Sequence, residues 1–171
     1  MIAPAASEHS GGVAGHPEIM SNPTARKFGY PGSLVAETGS WLVLVRPAQP
    51  TFGSLVLVCK EPAEAFSQLS SEAFADLQAA IGGIEHCLGV LVGYSRINYL
   101  MLMMVDRDVH FHVIPRYEGE RTDGGRRFPD AGWPGPPALA TAEALDAGEV
   151  QRLATKLARL WLAGARGGLD L

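Results

Sequence analysis

The segment Asp108-Val109-His110-Phe111-His112-Val113-Ile114-Pro115-Arg116 decides how this chain is read. Apolar and ionisable residues alternate along it, which is the period of a strand with two unlike faces. Asp108, His110 and His112 share one face, and Val109, Phe111 and Val113 share the other. The apolar set is predicted to face a core and the ionisable set a cleft or solvent. The strand is expected over 109–114, stopped by Pro115. Three ionisable groups in register support three readings. One is a solvated face with no special chemistry. A second is a metal site with two imidazole ligands and one carboxylate, which needs a further ligand that no second cluster supplies. The third is nucleophilic catalysis, in which a neutral imidazole attacks phosphorus while its other ring nitrogen is held by an acceptor.

Working outward, Ile97 to Val105 is almost wholly apolar and rich in methionine. The short Asp106-Arg107-Asp108 link predicts that it forms a hairpin with the histidine strand. Further upstream, Trp41-Leu-Val-Leu-Val-Arg46 and Ser54-Leu-Val-Leu-Val-Cys59 are β-branched strands, joined antiparallel through a turn at 47–52. Ser33 to Glu37 is a short strand. Between these strands and Ile97, Ser70 is placed to cap a helix over 71–89 that ends at Gly89 or Gly93. Phe74, Leu77, Ile81, Ile84 and Leu88 form its apolar stripe. Downstream, Glu118 to Pro137 reads as a loop containing Trp133-Pro-Gly-Pro-Pro137. Asp146-x-x-Glu149 is a capping box for a last helix with Val150, Leu153, Leu157, Leu160 and Trp161 inward. The order predicts an α+β fold on a meandering antiparallel sheet. Its expected divisions are a flexible extension at 1–21, a core domain at 22–117, and a loop with a C-terminal helix at 118–171.

With 171 residues, 47% of them hydrophobic, the chain can bury a single core. A net charge of -4 gives no electrostatic case for a nucleic-acid partner. Cys59 and Cys87 read as buried thiols rather than a disulfide, which suggests a reducing, cytoplasmic setting. Met1 to Ile19 lacks the cationic start and apolar block of a secretory signal, and no membrane span is expected.

The histidine segment resembles the signature of the histidine-triad proteins, His-x-His-x-His followed by apolar residues. The resemblance runs through the strand pair at 41–60, the helix at 71–89 and the strand at 97–105, covering about residues 22 to 117. Ile97-Asn-Tyr-Leu-Met-Leu-Met-Met-Val-Asp106 and Phe128-Pro-Asp-Ala-Gly-Trp-Pro-Gly-Pro-Pro137 are similar to a bacterial branch described as diadenosine polyphosphate hydrolases. It implies a five-stranded antiparallel sheet with two main helices, commonly as a homodimer. It implies hydrolysis or transfer of a nucleoside monophosphate group, from a dinucleoside polyphosphate or a nucleoside phosphoramidate, without metal or cofactor. His110 falls on the nucleophile and His112 on the histidine that contacts phosphate oxygens. The implied partner is therefore a nucleotide-like small molecule.

Three positions depart from that pattern. Asp108 stands where the first triad histidine is expected, Ser54 where many relatives carry histidine, and Arg46 where some carry a ribose-binding asparagine. On a strand face, Asp108 would lie about 7 Å from His110, worth about 2.4 kcal/mol at an effective dielectric of about 20. It would favour protonated His110 and repel phosphate, so hydrolysis is expected to be slowed, redirected or replaced by binding alone. The candidate site is thus His110, His112 and Asp108, with Phe28, Arg46, Ser54, Asn98 and Arg116 as candidate nucleotide contacts. Phe28 offers a ring for base stacking, although a single aromatic beside strands is also ordinary core.

Overall fold

The computed structural model describes residues 22–167. The extension expected at 1–21 lies outside them, as do the last four residues of the chain. Strands β2 (Trp41–Val45) and β4 (Leu55–Cys59) are the two apolar runs, paired antiparallel from Trp41↔Cys59 to Val45↔Leu55. All ten residues are buried, because both faces of this strand pair are covered. β1 (Leu34–Glu37) flanks β2. β6 (His110–Arg116) pairs with β4, and β5 (Arg96–Leu100) forms the far edge. The result is a five-stranded antiparallel sheet in the order β1-β2-β4-β6-β5, outside which the two-residue strands β3 (Ala48–Gln49) and β9 (Glu143–Ala144) pair with each other.

Two helices cover one face. The longer is Ser71–Val92, and the C-terminal one is Ala147–Gly167. With the short helix α1 (Pro23–Lys27) ahead of them, they are α2 and α3. Ser70 caps α2 by accepting from the Ala73 N–H, and Gly93 closes it at φ 59°. The buried stripe of α2 is Ala73, Ala80, Ile84, Cys87, Leu88 and Val92, while Phe74 is 42% exposed. The predicted stripe is thus shifted by about one position at its start, where the small Ala73 and Ala80 meet the core. The Trp41 indole donates to the Ala73 carbonyl at 2.9 Å, fixing helix to sheet. The capping box forms as expected: Asp146 and Glu149 exchange side-chain bonds to each other's N–H. Length and composition alone would let α2 cross a membrane, but here it packs on the sheet and on α3.

The other face carries Leu42, Leu44, Val56 and Val58, covered by Ala25 and Phe28 of the α1 region. Asn22 caps α1 through the Ala25 N–H and also donates to the Cys59 carbonyl at 3.2 Å, which holds α1 to β4.

Two expectations about the connections are corrected. β5 ends at Leu100, and 101–108 leaves the sheet instead of making a tight hairpin, with Met104 93% exposed. Polar ties outweigh apolar propensity here: Asp106 pairs with Lys27 at 2.6 Å and Asp108 bonds to Thr24. The stretch read as a loop at 118–137 holds a hairpin, β7 (Glu120–Asp123) with β8 (Arg126–Pro129). Its two-residue turn, Gly124-Gly125, has both φ angles positive, as a hairpin twist requires.

Candidate active site

β6 presents its side chains alternately, and its register fixes what surrounds them. His110 lies opposite Val58, and His112 lies between Val56 and Leu100. Both imidazoles project to the face that α1 covers. The alternation is as expected, but the open cleft is not: His110 is fully buried and His112 is 7% exposed. The Phe28 ring lies over them, 6.1 Å from His110 and 5.6 Å from His112 between centroids. The two imidazoles meet at 5.1 Å, nearly perpendicular.

His110 Nδ1 sits 2.7 Å from the Asp108 carbonyl oxygen. A carbonyl can only accept, so Nδ1 carries the hydrogen and Nε2 the lone pair. His110 Nε2 is buried with no hydrogen-bond partner among the described residues, as is His112 Nδ1. Burial is the main reason the His112 pKa falls to about 4, with like-charge influence from His110 and then Arg46 adding to it. His112 is therefore a neutral imidazole at physiological pH.

Asp108 lies ahead of the strand that carries the imidazoles, and its carboxylate is already engaged. β6 begins at His110, and the Asp108 carboxylate turns to α1. There it accepts from the Thr24 hydroxyl at 2.7 Å and the Thr24 N–H at 3.2 Å. The strand-face charge interaction expected from the sequence lacks its geometry, and so does a ligand set of two imidazoles and this carboxylate.

The other predicted contacts divide into two groups. Arg46 lies just past β2 on the imidazole face, half-buried. Phe28 covers the pair. Ser54 Oγ is engaged with the Thr51 carbonyl at 2.7 Å, supporting the turn before β4. Arg116 is buried and its donors are taken: by Asp130 through two nitrogens, by Asn98 Oδ1 at 2.8 Å and by the Gly135 carbonyl at 2.9 Å. It anchors the Trp133 loop to the sheet edge. That loop, with Arg96, Asn98 and Leu100, borders an open depression of about 420 Å³. A second cleft, of about 400 Å³, separates α1 from 105–108. Thr24, Lys27 and Asp130 have structural roles here that sequence reasoning missed. Only Asp130 had a visible signal, as the one acid in the Phe128–Pro137 motif.

No family model matches this sequence, and no curated protein does. Solved structures do. A histidine-triad protein from Sinorhizobium meliloti superposes with a TM-score of 0.62 at 22% identity, covering 80% of this chain and 92% of that one. The fold is that of the histidine-triad proteins. A Bradyrhizobium japonicum histidine-triad protein gives a TM-score of 0.58 at 24% identity over 74% of this chain and 87% of its own. The Plasmodium falciparum diadenosine triphosphate hydrolase gives 0.57 at 12% identity over 75% and 76%. At these identities the likeness establishes the histidine-triad fold, including the five-stranded sheet and its two main helices.

Proposed function

We propose that this protein is a metal-independent nucleotide hydrolase or nucleotidyl transferase that works through a covalent nucleotidyl-His110. The observation that carries this reading is the bond from His110 Nδ1–H to the Asp108 carbonyl, which leaves the Nε2 lone pair free and directed away from the strand. Nε2 attacks the phosphorus of a nucleoside 5′-phosphate group. An N–P bond forms, the bond from phosphorus to the leaving group breaks, and the leaving group departs with its electron pair. Water or another hydroxyl acceptor then attacks phosphorus, breaks the N–P bond, returns the lone pair to Nε2 and releases its proton to solvent. Neutral His112 donates a hydrogen bond from a ring N–H to a phosphoryl oxygen.

A neutral His112 is a poor proton donor, so leaving groups that need no proton are favoured. A phosphate chain, as in a dinucleoside polyphosphate, is such a group, whereas the amine of a phosphoramidate is not. The fold likeness to a diadenosine triphosphate hydrolase is consistent with this choice.

The test is intact-protein mass after brief exposure to diadenosine tetraphosphate, with chromatography of the products. The expected result is a transient gain of one nucleotide that is absent in His110→Ala, together with nucleotide release. A second reading is nucleotide binding without turnover, and complete burial of His110 beneath Phe28 favours it. A thermal shift with adenosine nucleotides, without adduct or products, would select it.

A further inference from the structure

Arg46 extends the imidazole face by one row. Its backbone N–H bonds the Ser54 carbonyl at 3.0 Å. Two residues before it, Leu44 lies opposite Val56, which lies opposite His112. Two strand spacings of about 4.8 Å and two residues of about 3.4 Å put the Arg46 and His112 backbones about 12 Å apart. Both side chains project from the same face, so one ligand lying across that face can meet the imidazoles and the guanidinium together. The wall between them is apolar and aromatic, built from Leu44, Val56 and Phe28.

Charges withdrawn from water are normally paired, because desolvating an isolated ion is costly. Arg116, the buried cation on this face, obeys that rule with Asp130. Arg46 does not. Its Nη1 donates to the Ala48 carbonyl, its Nε is buried without a partner, and no carboxylate among the described residues reaches it. Beside it on the sheet, Ser33 bonds the Val45 N–H through its carbonyl, and its own hydroxyl is also buried and unpartnered. A guanidinium in this state is suited to an anion brought by the ligand.

Resting on the nucleotide reading above, we propose that Arg46 seats a second anionic group, and that the preferred ligand is a nucleotide phosphorylated on its sugar as well as at its 5′ position. The 5′ phosphorus lies at His110 and His112, the sugar crosses the Leu44–Phe28 wall, and a 2′ or 3′ phosphate meets the guanidinium. A sugar hydroxyl at the same place would leave the half-buried cation unneutralised.

Calorimetric titration of the full chain tests this with four probes: adenosine 5′-monophosphate, adenosine 5′-diphosphate, and the 2′,5′- and 3′,5′-bisphosphates. One bisphosphate should bind at least ten-fold more tightly than the monophosphate, and more tightly than the diphosphate. Arg46→Gln should abolish most of that preference while the monophosphate affinity changes less. Arg46→Lys, which keeps the charge but not the fork of donors, should retain part of it. Equal binding of monophosphate and bisphosphates by the unaltered protein would overturn the inference and leave the proposed function standing. Preference for the diphosphate would also overturn it, by placing the second anion on the phosphate chain. No binding of any of the four would overturn both readings.

Discussion

Lowering the pH from 7.5 to 4.5 should cost this fold about 2.5 kcal/mol through His112 alone. The imidazole titrates near 6.5 when unfolded and near 4 when folded, chiefly because it is buried, with His110 and Arg46 as like-charged neighbours. The folded pKa is the lower one, so the unfolded chain binds the proton first as pH falls. The contribution to stability is complete above about 6.5, declines between about 6.5 and 4, and has no further pH dependence below that. The full span of about 2.5 pKa units corresponds to about 3.4 kcal/mol, of which about 2.5 kcal/mol has been lost by pH 4.5. Asp106 works in the opposite sense and Lys27 in the same sense as Arg46, both more weakly. Carboxylates elsewhere also titrate over this range, so the measurement is a difference. Urea unfolding of the unaltered protein and of His112→Asn is followed at both pH values. The unaltered protein should lose about 2.5 kcal/mol more than the variant. Equal losses in the two proteins, within about 0.5 kcal/mol, would refute the claim that burial holds His112 neutral.

Asp108→Ala should lower stability by about 1–3 kcal/mol, because the Thr24 N–H and hydroxyl lose their acceptor, and hydrogen exchange should rise over 22–30. The same variant keeps the backbone carbonyl that orients His110, so nucleotide adduct formation should persist in intact-mass analysis. Asp130→Ala should cost about 3–5 kcal/mol in chemical denaturation, since it strands the buried Arg116 charge and frees the Trp133 loop. Gly53→Ala should cost about 1–3 kcal/mol in the same assay. Its φ of +84° disfavours a side chain, and the new methyl group would meet Val92 Cγ2 at 2.7 Å.

Much of the architecture was legible because local patterns carried it. The β-branched runs at 41–45 and 55–59, Ser70 with Gly93, and the Asp146–Glu149 box each specify their element within a few residues. The Asp123-Gly124-Gly125-Arg126 hairpin was also legible in principle, since paired glycines are a turn signal. The density of charge and glycine around it suggested a loop instead. The strand expected to run on to Val105 failed for a different reason. Apolar composition cannot reveal that Asp106 and Asp108 are drawn out to Lys27 and Thr24, some eighty residues earlier in the chain.

The site divides along the same line. The sequence by itself determined that His110 and His112 share a strand face, because side-chain alternation is a property of the backbone and needs no partner. The tertiary structure alone decided which ring nitrogen of His110 is free, that α1 and Phe28 cover the pair, and that Asp108 faces Thr24 rather than the imidazoles. It also decided that Arg116 is paired with Asp130 while Arg46 is not. Burial and hydrogen-bond partnership depend on which distant segments meet, and periodicity along a strand does not encode that.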